Sequence, residues 1–161
     1  MTDETPVDNA IAHPLVDNAS DADPRLVLID ADARGAVTIT INRPTKRNAF
    51  DSETIVALAD AFETLHGADG LRVVFLRGAG GTFCAGADLD WMRRAAEWTE
   101  ADNHADALAL ARMLKTLRDI PALTVALVEG AAMGGGAGLV AACDMAVAVR
   151  GAKFAFSEVK L

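Results

Sequence analysis

The chain has 161 residues, of which 52% are hydrophobic and 24% charged, and its formal net charge is −8 at pH 7. That length suits one domain, or a large part of one, that buries about 70% of the surface of its unfolded chain. The composition excludes a fibrous or wholly disordered protein, and the acidic balance argues against a protein that binds nucleic acid by neutralising its phosphates. No apolar run approaches the ~20 residues of a membrane-spanning helix, so we expect no membrane partner.

The acidity is concentrated at one end. Residues 1–24 hold six acidic residues, three of the five prolines and no Lys or Arg. This composition predicts an acidic, disordered tail over 1–24, followed by one folded core over 25–161. The two cysteines, Cys84 and Cys143, form no CxxC motif, so we expect neither a zinc site nor a disulfide framework, and a cytoplasmic location.

In chain order, the pattern predicts two strands joined by a turn, a helix, a buried strand, two helices, a second buried strand, a short helix and two short strands. The predicted strands are 26–30, 36–42, 71–76, 123–128, 145–149 and 153–156, and the predicted helices are 52–66, 88–98, 100–120 and 138–143. Two continuously apolar strands, 71–76 and 123–128, each lead through a Gly-rich loop into a helix. This alternation indicates an α/β fold whose central strands are buried on both faces.

Several common sites are excluded by their missing residues. The first Gly-rich loop carries Phe83 where a dinucleotide fingerprint needs its third glycine, and Ala87 and Asp88 where a phosphate-binding loop needs Lys and Ser or Thr. No serine stands in a GxSxG motif, and we expect the three histidines to be structural or solvated. The residues therefore predict no metal, no nucleoside triphosphate site and no Ser-His-Asp triad.

Two strand-to-helix junctions remain, FCAGADL and MGGGAGL, and both are rich in small residues. Small residues let a ligand approach the backbone, and the free N–H groups at a helix start attract negative charge. Two such donors that converge on one oxygen make an oxyanion hole. Tight packing of helix against strand explains the same spacing, and the spacing alone leaves both interpretations open.

Residues 26–161 resemble the crotonase (enoyl-CoA hydratase/isomerase) superfamily. The resemblance rests on four ordered motifs: NRPTKRNAF, LRVVFLRGAGGTFCAGADLDWM, VEGAAMGGGAGLVAACDMAVA and AKFAFSEVKL. It implies a spiral of β-β-α repeats, an acyl-coenzyme A thioester as ligand, and no metal or redox cofactor, because coenzyme A is part of the substrate. It also implies a homotrimer or a dimer of trimers where the full family fold is present. The chain ends before the C-terminal helical region that family members carry.

The resemblance also implies roles for individual positions. The N–H groups of Ala87 and Gly135 would hold the thioester oxygen. Candidate contacts to the substrate, most of them to its CoA head, are Lys46, Arg47, Ala49, Ala85, Asp88, Leu89 and Gly134. Lys46 and Arg47 also make sense independently as counter-charges for phosphates, although exposed loop charges are the plain alternative. We expect Trp91 and Met92 to pack rather than to recognise the acyl chain.

The proton-transfer groups differ from the common hydratase pattern, which uses two glutamates. Glu158, in FAFSEV, occupies the family's second position, whereas Gly138 stands at the first. A carboxyl beside an apolar pocket has a raised pKa and can act as acid or base. Three readings stay open: an enoyl-CoA hydratase of the branched, 3-methylglutaconyl type, a Δ3–Δ2 enoyl-CoA isomerase with one Glu, and an inactive fragment of the fold.

Overall fold

The computed structural model describes residues 23–156. Its strands are β1 (Val27–Ala31), β2 (Ala36–Ile41), β3 (Val73–Gly78), β4 (Leu123–Val128), β5 (Ala131–Met133), β6 (Met145–Ala148) and β7 (Lys153–Ala155). Its helices are α1 (Ser52–Glu63), α2 (Leu89–Ala95), α3 (Glu100–Arg118) and α4 (Gly135–Ala142). The predicted core 25–161 is described up to residue 156, and the predicted tail 1–24 lies almost wholly outside the described residues.

Five strands form the main sheet, in the order β1-β2-β3-β4-β6. β1 runs antiparallel to β2, and every later pairing in this sheet is parallel. In β2, Val37, Ile39 and Ile41 are buried while the residues between them are partly exposed, as the alternation in AVTITIN predicts. Parallel strands need crossover connections, and helices α1 and α3 lie in the crossovers between β2 and β3 and between β3 and β4.

A second, smaller sheet joins β5 to β7 in parallel. Isolated bridges extend it, because Cys84 pairs with Ala132 and Phe50 pairs with Ala87. β5 was not predicted: its three residues, AAM, lie within a Gly-rich stretch and carry no β-branched side chain, so neither length nor propensity identifies a strand there. This small sheet brings four distant segments of the chain together.

The core lies between the main sheet and helices α1 and α3. Asp51 caps α1, its carboxylate accepting the Thr54 N–H at 2.9 Å. Met113 and Leu117 of α3 are fully buried. The largest fully buried side chains are Phe50, Phe62, Phe83, Ile39, Ile41, Ile55, Leu58, Leu76, Met113, Leu117, Leu139 and Val74.

The helices differ from their predicted bounds mainly at their ends. The predicted helices 52–66 and 88–98 end earlier, at Glu63 and Ala95, and both continue into hydrogen-bonded turns. Helix α4 begins at Gly135, three residues before its predicted start, because the glycines that discourage a helix assignment by propensity are needed for close packing. None of the four described helices is long and apolar enough to cross a bilayer.

Candidate functional site

The loop NRPTKRNAF, residues 42–50, follows β2 and forms one side of the candidate site. Pro44–Lys46 make a single 3-10 turn, and Arg47 and Asn48 then take left-handed backbone conformations, with φ of 49° and 55°. Asn48 is fully buried. Its amide donates to the carbonyls of Ala79 and Thr82 at 2.8 and 2.6 Å, and its Oδ1 accepts the Arg43 N–H at 2.9 Å. The conformation of this loop is therefore fixed by a bond within it and by bonds to the segment 79–82.

Arg43 ties the loop to the start of two helices. Its guanidinium lies 2.8 Å from the Asp51 carboxylate and 3.3 Å from that of Asp88, and it also donates to the Ala49 carbonyl. Only 14% of the Arg43 side chain is exposed. A largely buried guanidinium with two carboxylate partners is a strong geometric constraint, because loss of the guanidinium would leave both carboxylates without this partner.

The two predicted phosphate-binding cations occupy different environments. Lys46 is half exposed and lies 2.8 Å from Asp90 and 3.7 Å from Asp88, and the hydrogen bond to Asp90 raises the pKa of its ammonium. Arg47 is exposed, and its backbone carbonyl accepts the Ala85 N–H at 3.0 Å. The geometry brings both residues beside Ala85 and Asp88, and their contact with CoA stays a prediction.

Backbone hydrogen bonds hold the segment CAGAD between two other segments. Cys84 donates to Ala131 and accepts from Met133, both at 2.9 Å. On the other side, the Phe50 N–H donates to the Gly86 carbonyl at 2.8 Å, and the Asp88 N–H donates to the Phe50 carbonyl at 2.7 Å. The structure thus places the two Gly-rich junctions, which are about 50 residues apart in sequence, in direct contact.

Close approach explains the glycines at this contact. A Cβ on Gly135 would lie 2.5 Å from the Phe50 ring, and one on Gly136 would lie 2.8 Å from the Cys84 side chain and carbonyl. Gly86 has a φ of +92°, and a Cβ there would meet the Met133 carbonyl at 3.0 Å. Any side chain at Gly135 or Gly136 would push the start of α4 away from the CAGAD segment. The structure therefore shows tight packing between the two junctions, which the sequence analysis gave as the alternative explanation of the glycines.

The same packing leaves two backbone donors without an acceptor. Within residues 23–156, neither the Ala87 N–H nor the Gly135 N–H donates to any group. Gly135 is the first residue of α4, where the N–H groups of a helix lack intrahelical partners, and Ala87 lies just outside α2, before its N-cap Asp88. Both predicted donors lie at the contact between the two junctions, and their role toward a thioester stays a prediction.

Asp88 caps helix α2 and is buried. Its Oδ1 accepts the N–H of Asp90 at 2.8 Å and that of Trp91 at 3.3 Å, while its Oδ2 faces Arg43. These partners occupy the carboxylate. The Asp88 N–H and carbonyl are also engaged, with Phe50 and Met92, and the contact between Asp88 and the substrate that the resemblance implies stays a prediction. Ala49 is buried and Ala85 partly buried in the same layer.

A mainly apolar cavity of about 510 Å³ lies between α2 and α3. It is lined by Trp91, Met92, Ala95, Ala96, Asn103, Asp106, Ala107 and Leu110. Trp91 is also part of the hydrophobic core, in agreement with its expected packing role, whereas Leu89 is 67% exposed. The indole N–H of Trp91 is buried without a hydrogen-bond partner in the described part of the chain.

Gly138 lies in the middle of α4 and faces α3. A Cβ at this position would meet the Leu114 side chain at 3.6 Å, which is ordinary van der Waals contact. The position therefore has room for a side chain, unlike Gly135 and Gly136. The fold therefore does not require glycine at this position for lack of space for a Cβ.

Glu158, the predicted acid/base, lies outside the described residues. Strand β7 ends at Ala155, three residues before it, and the Ala155 carbonyl accepts the Gly134 N–H at 2.7 Å. The last described strand, β7, is thus hydrogen-bonded to Gly134, the residue next to the predicted donor Gly135. Within residues 23–156, no group of three or more His, Cys, Asp or Glu could hold a metal ion.

Two residues of the site, Arg43 and Asn48, were missed as functional positions. Both lie in NRPTKRNAF, from which the sequence analysis took only Lys46, Arg47 and Ala49 as candidate contacts. The available signal was an Arg directly before a short Pro-led turn and an Asn two residues after it, since Asn tolerates a positive φ and can bond to backbone groups.

The comparisons with known proteins agree with this architecture. The model of the enoyl-CoA hydratase/isomerase family matches residues 32–161. The chain belongs to this family. It is 31% identical over 134 residues to the human mitochondrial methylglutaconyl-CoA hydratase and 35% identical over 127 residues to an enoyl-CoA hydratase of Alternaria alternata. These alignments cover 83% and 79% of this chain.

Solved structures confirm the predicted α/β, crotonase-like fold. An enoyl-CoA hydratase of Mycobacterium smegmatis superposes with a TM-score of 0.80 at 40% identity, over 84% of this chain and 52% of its own. One of Shewanella pealeana gives 0.81 at 36% identity, over 84% and 51%. The chain spans about half the length of its curated relatives or less, from 53% of a Thermus thermophilus protein to 39% of the human one.

Proposed function

We propose that this chain binds an α,β-unsaturated acyl-CoA and carries the enolate-stabilising part of an enoyl-CoA hydratase. The observation that supports this best is the pair of unengaged N–H groups, on Ala87 and Gly135, at the contact between the two Gly-rich junctions. Membership of the enoyl-CoA hydratase/isomerase family supports the same reaction class.

In the proposed reaction, water adds across the conjugated double bond. Its hydroxyl bonds to Cβ while Glu158 takes up the proton that water loses, and the thioester oxygen becomes an enolate oxygen. A proton then passes from Glu158 to Cα and restores the thioester. The Ala87 and Gly135 N–H groups stabilise the enolate oxygen. Fixed backbone donors of this kind contribute about 2.7–4 kcal/mol each, because they do not reorganise as the charge develops. Their rigidity comes from the bonds between Phe50, Gly86 and Asp88.

Glu158 is the proposed proton-transfer group. Its place in the sequence, three residues after the Ala155 carbonyl that binds Gly134, supports this role. Gly138 supplies no carboxylate at the family's other position. We therefore propose that a carboxylate of the substrate itself, or water held beside it, assists hydration. This favours a branched, glutaconyl-type substrate, and two of the relatives, from human and mouse, are named methylglutaconyl-CoA hydratases.

A second candidate is a Δ3–Δ2 enoyl-CoA isomerase. Gly138 favours it, because moving a double bond through an enolate needs only one base to carry a proton between two carbons. The same Ala87 and Gly135 donors serve this reaction.

The proposal assigns the CoA head to the loop 42–50 and the CAGAD segment. Contacts come from Lys46, Arg47, Ala49, Ala85, Asp88, Leu89 and Gly134. No metal or redox cofactor takes part, since CoA belongs to the substrate. A cytoplasmic location, and a homotrimer or dimer of trimers where the whole family fold is present, complete the proposal.

The first test is an ultraviolet difference titration of the 161-residue chain with acetoacetyl-CoA, whose enolate absorbs in the near ultraviolet. We expect a saturable enolate band. Gly135→Ala, which must displace Phe50, is expected to weaken enolate binding by at least about 100-fold. Gly138→Ala, in the same helix but with room for its Cβ, is the matched control and is expected to retain the band. A folded chain without any band would contradict the proposal.

The second test distinguishes hydration from isomerisation and examines the role of Glu158 in proton transfer. We expect the chain to hydrate 3-methylglutaconyl-CoA. We expect Glu158→Gln to lose this activity and to keep the enolate band with acetoacetyl-CoA. Hydration of crotonyl-CoA without any glutaconyl activity would overturn the branched-substrate assignment. Isomerisation of a Δ3-enoyl-CoA without hydration would select the second candidate. An enolate band without turnover of any of the three substrates would leave binding intact and overturn both activities for this chain.

A further inference from the structure

A row of alternating charges connects the loop 42–50 to helix α2. Six side chains form this ion-pair row, each paired with the next: Asp51, Arg43, Asp88, Lys46, Asp90 and Arg93. The first three side chains are at most 17% exposed, and the last three are at least 50% exposed. The row therefore has a buried half, which holds the backbone, and an exposed half, whose ion pairs are weaker because water screens them.

Both carboxylates that contact Lys46 have a second cation of their own. The Lys46 Nζ lies 2.8 Å from Asp90 Oδ2 and 3.7 Å from Asp88 Oδ2. Asp90 Oδ1 accepts a hydrogen bond from Arg93 at 2.9 Å, and Asp88 Oδ2 lies 3.3 Å from the Arg43 guanidinium. If the Lys46 ammonium moved away, each carboxylate would thus keep a cation. The ammonium can leave the ion-pair row at low cost.

Arg43 cannot change partners in the same way. Its side chain is largely buried, lies 2.8 Å from the Asp51 carboxylate, and also donates to the Ala49 carbonyl. Moving this guanidinium would take the main cation from two largely buried carboxylates, which is costly. An anion that approaches the loop 42–50 therefore competes for Lys46 and not for Arg43.

Asp90 occupies the ammonium that the proposed function assigns to CoA. Their hydrogen bond raises the pKa of Lys46 and lowers the pKa of Asp90, so both groups are charged at neutral pH. The Lys46 backbone is fixed, because its N–H donates to the Arg43 carbonyl at 3.0 Å and its carbonyl accepts the Ala49 N–H at 3.1 Å. The flexible four-carbon stem lets the ammonium turn from one anion to another. A phosphate that takes Lys46 has to displace the Asp90 carboxylate.

We propose that Asp90 sets the affinity of this chain for acyl-CoA by competing with a CoA phosphate for Lys46. Binding exchanges the ion pair between Lys46 and Asp90 for one between Lys46 and the phosphate, while Asp90 keeps Arg93. On release, Asp90 takes the ammonium back. This inference rests on the proposed function, because it takes CoA as the ligand of the loop 42–50.

Calorimetric titration of the chain with CoA at about 0.15 M salt measures the competition. We expect Asp90→Asn to lower the dissociation constant about threefold, which is within the range for an exposed ion pair. Asp69→Asn is the matched control, because it makes the same change of net charge at an exposed residue beside the amino end of β3. We expect it to change the dissociation constant by less than about 1.5-fold. An unchanged or raised dissociation constant in Asp90→Asn would overturn the proposal.

A double-mutant cycle separates competition for Lys46 from simple repulsion between Asp90 and the phosphate. Repulsion alone predicts that Asp90→Asn tightens CoA binding equally with and without the Lys46 side chain. Competition predicts a gain of about threefold in the chain that carries Lys46 and of less than about 1.5-fold in Lys46→Ala. Equal gains in the two backgrounds would contradict the exchange of partners.

A measurement without CoA tests the ion pair itself. Trinitrobenzenesulfonate labels only neutral amines, and peptide mass spectrometry resolves the lysines. We expect Asp90→Asn to speed the labelling of Lys46 at least about twofold, because loss of the opposite charge lowers the pKa of its ammonium. Lys115, which pairs with Asp119 on α3, is the internal reference and is expected to react at an unchanged rate. Unchanged labelling of Lys46 would refute the ion pair and with it the competition.

The combined results distinguish failure of this inference from failure of the proposed function. Faster labelling of Lys46, together with CoA binding that Asp90→Asn does not tighten, would overturn the competition and leave the proposed function intact. Faster labelling without CoA binding by either the unmodified chain or Asp90→Asn would overturn both. Faster labelling with tighter CoA binding in Asp90→Asn is the result that we expect.

Discussion

Arg43 and Asp88, 45 positions apart in sequence, form an ion pair of 3.3 Å at the base of the candidate site. Asp88 at the same time caps helix α2, and Arg43 also holds Asp51 at the start of α1. The loop after β2 is thereby joined to the starts of two helices. Ala87, the residue before Asp88, carries one of the two unengaged N–H groups, so the ion pair positions a proposed oxyanion donor.

Removing the Arg43 side chain is expected to destabilise the fold strongly. Arg43→Ala leaves the buried Asp88 carboxylate with Lys46 as its nearest cation, at 3.7 Å. We expect a loss of about 3–5 kcal/mol in the free energy of unfolding, measured in urea. Arg93→Ala, whose side chain is 75% exposed, is the control and is expected to cost no more than about 1 kcal/mol. Equal losses would contradict the constraint assigned to Arg43.

Two glycines of α4 are expected to respond in opposite directions to the same substitution. Gly135→Ala must displace the buried Phe50 ring, and we expect it to destabilise the chain by about 1–3 kcal/mol. Gly138→Ala has space and removes backbone entropy from the unfolded chain, so we expect it to stabilise by about 0.5–1 kcal/mol. The midpoints of thermal unfolding of the two variants, compared with that of the unmodified chain, test this prediction. A destabilising Gly138→Ala would show that the position is sterically restricted.

Acid is expected to weaken the turn between β1 and β2. Hydrogen bonds from the Ala36 N–H and from Arg34 lower the pKa of Asp32 below its usual value. A lowered pKa in the folded state contributes stability above the unfolded value of about 3.9, and that contribution is lost as the pH falls toward the folded value. We therefore expect the stability difference between the unmodified chain and Asp32→Asn to shrink from about pH 6 to about pH 3.

Asp69→Asn is the control for this titration. Asp69 is exposed and makes no hydrogen bond within residues 23–156. Its substitution is expected to change the free energy of unfolding by no more than about 0.5 kcal/mol. A stability difference for Asp32→Asn that stays constant with pH would contradict the role assigned to the carboxylate.

The two native thiols are expected to be unreactive in the folded chain. Burial raises the pKa of Cys84 to about 12, and burial together with the nearby Asp144 raises the pKa of Cys143 to about 12. Since the thiolate is the reactive form, labelling with a disulfide reagent at about pH 8 must wait for opening of the structure. We expect slow labelling in buffer and rapid labelling of both thiols in urea. Rapid labelling of folded Cys84 would contradict its burial.

Much of this fold follows from local sequence. The apolar strands β3 and β4 and the alternating β2 were predicted within two residues of their ends, because burial on one or both faces leaves a clear pattern. β5 was missed because its pairing with β7 and Cys84 is long-range. Local propensity says nothing about such a partner.

The candidate site was predicted less completely than the fold. The N–H groups of Ala87 and Gly135 were predicted as donors from the family resemblance, and that role stays a prediction. Phe50 joins the two segments that carry these groups. Its ring lies against Gly135, and its backbone forms hydrogen bonds with Gly86 and Asp88. Arg43 was overlooked because a buried arginine and an exposed one look alike in sequence.

The order of strands also has a consequence for how quickly the chain reaches its native state. Within residues 23–156, β1 and β2 are the only sheet neighbours joined by a tight turn, and the partners in the next pairing, such as Val37 and Val74, are 37 positions apart. Such distant contacts require costly loop closure before they contribute stability. We expect the β1–β2 hairpin to form early and the parallel sheet to assemble slowly, which leaves apolar strands uncovered during synthesis.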